Sequence, residues 1–170
     1  METYLAIASR REVRQYADRP VPEELRVRIL VAGRVAGSSV NRQQWRFVLI
    51  EARDVLDRVA ELVYASSNLH GADFAIAVAV YGKGPTHFDA GRAAQNMMLA
   101  AWDAGVGSCP NGMPDREPIR QALGLDEGEE VVTILSLGYP ARPIDPTRHT
   151  PEEWIARANR KAFDEVVVRR

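Results

Sequence analysis

Phe74 to Tyr81 is an unbroken apolar run of strand length, the pattern of a strand covered on both faces. Trp45 to Ile50 and Val131 to Leu137 read as two further strands, the latter closed by Gly138-Tyr139-Pro140. Between Asp89 and Ala104 apolar residues recur at 90, 93, 94, 97, 98 and 101, the spacing of a helix. Its second half is apolar nearly all round, which marks it as the central buried helix. Pro22-Glu23-Glu24 suits a first helical turn, where the dipole is positive. The apolar face that follows, Leu25, Ile29, Ala32 and Ala36, continues to a stop at Gly37. Further helices are predicted over Tyr4 to Arg10, Ala52 to Ala65 and Asp115 to Leu123. Residues 38–41 and 143–151 read as loops, and a helical start at Pro151 leads into a charged tail from Arg157 to Val168. Helices and strands mix without strict alternation, and only three or four strands are present. That favours an α+β layer fold over a doubly wound one. With no repeat and no linker, a single domain over residues 1–170 is expected.

Composition narrows the classes. At 170 residues, 46% apolar and 26% charged, the chain has the balance of one globular domain with a real core. A net charge of -1 gives no general attraction to nucleic acid or anionic lipid, so neither is expected as a partner. The longest apolar runs fall well short of the roughly 20 residues that span a bilayer. A single cysteine, Cys109, excludes an internal disulfide framework and points to a reducing, cytoplasmic setting, where it serves as a small buried hydrophobe. Three scattered histidines have no ligand spacing, and no metal site is expected. Basic charge is carried by twenty Arg against two Lys. Genome composition accounts for such usage; so do forks for phosphate or carboxylate, and the two readings coexist.

Four stretches could carry chemistry. In the cluster Arg10, Arg11 and Arg14, Arg10 and Arg14 can bind one anion, or the cluster can form a solvated basic helix end. Ser38, Ser39 and Asn41 place small donors and acceptors on a turn, or simply join a helix to a strand. After the central helix, Gly105 suits a C-cap, and Pro110, Asn111 and Gly112 could present backbone donors where Gly107 and Gly112 let a ring approach. Arg160 and Lys161 belong to a tail that is otherwise a solvated charge run. No Gly-x-Gly-x-x-Gly opens a helix after a strand, so the dinucleotide fingerprint is missing.

Taken in order, Ala-Ser-Arg-Arg-Glu-Val-Arg, Gly-Ser-Ser-Val-Asn-Arg-Gln-Gln-Trp, Asp-Ala-Gly-Arg-Ala-Ala-Gln-Asn-Met-Met with its Gly-Val-Gly-Ser turn, and Arg-Lys-Ala-Phe-Asp-Glu-Val resemble the nitroreductase family of FMN-dependent oxidoreductases. The resemblance covers roughly residues 5 to 168. It implies a nitroreductase-like α+β fold, a mostly antiparallel central sheet flanked by helices, and a homodimer with two FMN sites between subunits. It implies that Arg10 grips the FMN phosphate, that Arg11 is a further cofactor-binding residue, and that Arg14 lies near the flavin's pyrimidine edge as an electrostatic stabiliser. Ser38, Ser39 and Asn41 would reach the partner's flavin, Pro110 to Gly112 its N5 and O4 edge, and Arg160 and Lys161 the phosphate. No protein nucleophile or general base is required.

The implied activity is hydride transfer from NAD(P)H onto flavin N5, then two-electron reduction of a small acceptor such as a nitroaromatic or quinone, in ping-pong order. Glu12 stands where the family pattern has serine, and it is expected to point away from the phosphate. Gly37 and Gln44 stand where it has prolines. The short connection between Tyr81 and Asp89, where larger members insert helices, implies an exposed cofactor and a shallow, permissive acceptor pocket. A non-catalytic FMN-binding protein, for storage or sensing, is the main alternative. A specialised relative such as a reductive dehalogenase would need lid residues for which this chain has little room.

Overall fold

In the computed structural model all residues from 1 to 170 are described. They form two compact units, Met1–Arg10 with Asp145–Arg170, and Arg11–Ile144.

The larger unit holds the sheet. Strands β1 (Trp45–Ile50), β2 (Phe74–Tyr81), β3 (Gly107–Asn111) and β4 (Glu129–Gly138) lie in the order β1-β2-β4-β3, and every neighbouring pair is antiparallel. Helices α2 (Glu23–Arg34) and α5 (Thr86–Asp103) cover one face. Helices α3 (Arg53–Ala60), α4 (Ser67–His70) and α6 (Glu117–Ala122) cover the other. The α+β antiparallel architecture is the one expected.

The sequence of β2 explains the layering. Phe74, Ile76, Val78 and Val80 face α2 and α5, while Ala75, Ala77 and Ala79 face the α3 side. Successive side chains alternate across a strand, so one face of β2 is bulky and the other is nearly flat. Flatness there is filled by Leu56, Val59, Leu69 and Ile119 from the helices, all fully buried. On the first face α2 and α5 approach closely because Gly33 has no side chain; a Cβ there would lie 2.8 Å from Met97 Cγ. Burying side chains of this size contributes about 1.5–3 kcal/mol each.

Several boundaries differ from the pattern-based ones. Helix α5 begins at Thr86, so His87 and Phe88 lie in its first turn and only residues 82–85 form the connection. Helix α2 stops at Arg34, and β3 is a strand rather than a turn. The helix expected to run to Ala65 ends at Ala60, because Tyr64 N–H donates to Gly112 O at 3.0 Å and leaves the helical ladder.

The smaller unit packs α1 (Thr3–Ser9) against α7 (Pro151–Ala156) and adds a short helix α8 (Phe163–Val166). Glu2 caps α1 by accepting from Tyr4 and Leu5 amides, and Thr150 with Glu153 forms a capping box on α7. No helix is long and apolar enough to cross a membrane.

Candidate functional site

Residues 12–17 form neither helix nor strand of their own, yet they are held along the sheet. Glu12 bridges Ser108 in parallel, and Val13 N–H donates to Ser108 O at 3.0 Å. Further on, Tyr16 bridges Pro140 in antiparallel sense, flanked by Ala17 N–H to Tyr139 O at 2.8 Å and Ala141 N–H to Gln15 O at 2.9 Å. Two glycines admit this segment. Gly107 and Gly138 are directly paired in β3 and β4. A Cβ on Gly107 would lie 2.6 Å from Val13 Cβ, and one on Gly138 would lie 2.9 Å from Tyr16 Cδ1. Gly107 was expected to admit a cofactor ring; it admits Val13 instead.

Past the Tyr16–Pro140 bridge the chain bends at Ala141 and Arg142. Arg14 and Arg142 line one cavity of about 300 Å³, with Glu12, Gln15, Pro140 and Ile144. Two like charges beside one cavity repel each other at a cost. An anion in the cavity would remove that penalty and accept charge-assisted hydrogen bonds from both guanidiniums. Arg142 was not singled out from sequence, since its relation to Arg14 exists only through the Tyr16–Pro140 bridge. Glu12 is among the residues that line the same cavity, and its Oε2 is buried.

Arg11 opens the larger unit and is half-buried. Arg10, Arg160 and Lys161 belong to the smaller one. Arg10 is half-buried at the C-cap of α1, its N–H bonded to Ala6 O at 3.1 Å. Arg160 and Lys161 are exposed between α7 and α8, and Arg160 Nη1 donates to Ala158 O at 2.9 Å.

Pro110, Asn111 and Gly112 lie at the end of β3. Pro110 has no N–H, so only Asn111 and Gly112 of the three expected donors carry a backbone proton. The Asn111 side chain is buried and turned inward. Its Nδ2 lies within hydrogen-bond reach of Cys109 O (3.0 Å), Ile134 O (3.0 Å) and Ser136 Oγ (3.1 Å), and its Oδ1 accepts from Asn68 Nδ2 at 2.9 Å. Tyr16 Oη lies 2.7 Å from Val13 O and 2.9 Å from Ser136 Oγ. Burial pushes the Tyr16 phenol pKa well up, so the group stays protonated. Cys109 is buried, as expected of a small apolar residue. At Gly112 a Cβ would meet the Tyr64 ring at 3.3 Å. Tyr64 is 76% exposed, an aromatic lip beside the β3 end that the helical pattern concealed.

The Ser38–Asn41 turn is built differently. Ser38 Oγ accepts from Gln43 N–H at 2.9 Å, and Ser39 N–H donates to Asp89 Oδ2 at 2.9 Å. Val40, Asn41 and Gln43 have φ of 44°, 55° and 52°. Left-handed backbone is rare for any side chain and a genuine outlier for a β-branched one. The turn is thus anchored to α5 through Asp89, a residue the sequence had assigned only to the helix.

Comparison with known proteins bears on this arrangement. The model of the nitroreductase family matches residues 7–79 and 63–139. A protein of Methanothermobacter thermautotrophicus named "Putative NADH dehydrogenase/NAD(P)H nitroreductase" is 33% identical over 169 residues, covering 91% of this chain and 88% of its own. Its namesake from Archaeoglobus fulgidus is 34% identical over 167 residues, covering 87% and 96%. The solved structure of a "putative nitroreductase in complex with fmn" from Desulfovibrio desulfuricans superposes with a TM-score of 0.81 at 28% identity, covering 100% of this chain and 98% of that one.

Proposed function

This chain belongs to the nitroreductase family, and from that premise we propose that it is an FMN-dependent oxidoreductase that uses NAD(P)H to reduce a small acceptor. It is read as a cytoplasmic homodimer whose chain acts as one domain. The observation that carries the reading is the cavity lined by both Arg14 and Arg142, with the end of β3 held beside the same segment. That donor set fits FMN, which is anionic at its phosphate and rich in acceptors at its pyrimidine edge.

Bound FMN would supply the two-electron redox chemistry between NAD(P)H and the acceptor; the protein would supply position and electrostatics. Arg14 stabilises negative charge at the pyrimidine edge, and Arg142 adds to the same field. Arg10, Arg11, Arg160 and Lys161 are assigned to the phosphate. Asn111 and Gly112 offer backbone N–H groups at the N5 and O4 edge. Tyr64 stands beside Gly112 and suits a planar acceptor. Ser38, Ser39 and Asn41 are assigned to the flavin of the second subunit. Supporting a dimer, Val27 and Val31 of α2 and Val35 at its C-cap are exposed apolar residues at four-residue spacing.

The second reading, a flavin binder without turnover, is favoured by Glu12, an acidic residue among those that line the same cavity as Arg14. The visible spectrum of purified protein, before and after anaerobic NADH or NADPH, separates the two. A yellow protein that bleaches rapidly with either nucleotide supports the enzyme. Colour that persists supports the binder, and a protein that takes up no FMN sinks both.

A further inference from the structure

Asn68, Asn111 and Ser136 are 6%, 4% and 0% exposed, and the Tyr16 hydroxyl lies among them. Such groups are unfavourable in an apolar core unless each finds a partner. Here the donors can run in one direction. Asn68 Nδ2 donates to Asn111 Oδ1 at 2.9 Å, and Asn111 Nδ2 lies 3.1 Å from Ser136 Oγ. Ser136 Oγ lies 2.9 Å from Tyr16 Oη, which donates to Val13 O at 2.7 Å. The Val13 carbonyl shares its peptide group with the Arg14 N–H. Hydrogen bonds in series polarise one another, so the Arg14 amide becomes a stronger donor. A branch from Asn111 Nδ2 reaches Cys109 O, next to Pro110, at 3.0 Å; the single Ser136 hydroxyl proton goes to Tyr16 in this direction, or to Cys109 O at 3.2 Å in the alternative one.

Packing does not require this. Phenylalanine at position 16 would place the same ring against Gly138 without the hydroxyl. The backbone already ties Val13 to Ser108; the hydroxyl adds a second tie, from the Val13 carbonyl through Ser136 to the Asn111 side chain. Resting on the FMN reading above, we propose that the Asn68–Asn111–Ser136–Tyr16 chain is a positioning network that sets these two walls of the flavin site as one unit. Tyr16 is the positioning residue through which Arg14 is held.

A double-mutant cycle on FMN affinity of the purified full-length protein tests this. Tyr16→Phe weakens FMN binding about ten-fold in the wild-type background, the scale of one lost hydrogen bond. In the Arg14→Ala background the same change has an effect of about two-fold or less, since the group it positions is gone. The reduction potential of bound flavin also moves in Tyr16→Phe, which a purely structural role would leave in place. Ser136→Ala repeats the pattern and takes over if Tyr16→Phe does not fold; if neither folds, the proposal falls. An unchanged Kd in Tyr16→Phe, or losses that simply multiply in the double variant, overturn it. Wild-type protein that takes up no FMN overturns the functional reading, and this network role with it, and is distinguished by the wild-type arm alone.

Discussion

Two asparagines assigned to the flavin illustrate how differently its surroundings are built. Asn111, at the end of β3, is buried, and both ends of its side-chain amide are engaged with Asn68, Ser136 and two carbonyls. Asn41, before β1, is exposed with a φ of 55°, between Val40 at 44° and an exposed Gln43 at 52°. The first is determined by the core of its own chain. The second is backbone strain of order 1–3 kcal/mol per residue, held on a surface by Asp89 and Ser38. Preorganisation in the core thus stands against strain held at the surface.

The comparison breaks most readily at Asn111. Asn111→Ala takes away the 2.9 Å partner of the Asn68 amide and one donor each from Cys109 O, Ile134 O and Ser136 Oγ, and a loss of about 2–3 kcal/mol in urea unfolding is expected. A loss below about 1 kcal/mol would mean that the β3 wall is no better determined than the turn. Asp89→Ala removes the anchor of Ser39 and should cost about 1–2 kcal/mol, with limited proteolysis falling between residues 37 and 44. Cleavage elsewhere would show that α5, and not the turn, depends on Asp89. Val40→Gly relieves left-handed strain at an exposed position and should raise stability by roughly 0.5 kcal/mol, after the extra backbone entropy of glycine is offset. A fall in stability would show that Val40 is not strained.

The smallest effect is one of pH. His70 in α4 lies 3.1 Å from Asp57 and 2.9 Å from Glu61, whose hydrogen bonds and charge raise its pKa above the ordinary 6.5. A raised folded pKa means that the brace between α3 and α4 is fully present below about pH 6.5 and fades as pH rises through the folded value. The difference in urea midpoint between wild type and His70→Gln should therefore be largest at low pH and vanish at high pH. A difference that grows with pH would contradict the assignment.

Much of the scaffold was legible in the chain. The apolar run of β2, the spacing in α5 and the acids after Pro22 each report a local preference that agrees with the fold. Strand β3 was hidden because Gly-Ser-Cys-Pro-Asn has turn composition; its extended form is imposed by pairing with β4, and its proline is tolerated near the sheet edge. The early end of α3 was hidden for a similar reason, a hydrogen bond to a residue far along the chain. At the candidate site, the arginine segment, the serine turn and the β3 end were visible as residue types. Arg142, Tyr64, Asp89 and the Tyr16 hydroxyl were not, because each acquires its place only through a non-local pairing. Sequence spacing carries the identity of the donors; the sheet carries their aim.

The facing glycines at 107 and 138 have a consequence for how the arginine segment is located at all. Sliding it along by one residue would present Glu12 or Arg14 to a gap shaped for Val13, and Gln15 to one shaped for an aromatic ring. The joint therefore works as a gauge that accepts a single alignment. One added methyl carbon at either glycine would be read out some distance away, as a guanidinium pointing at the wrong place.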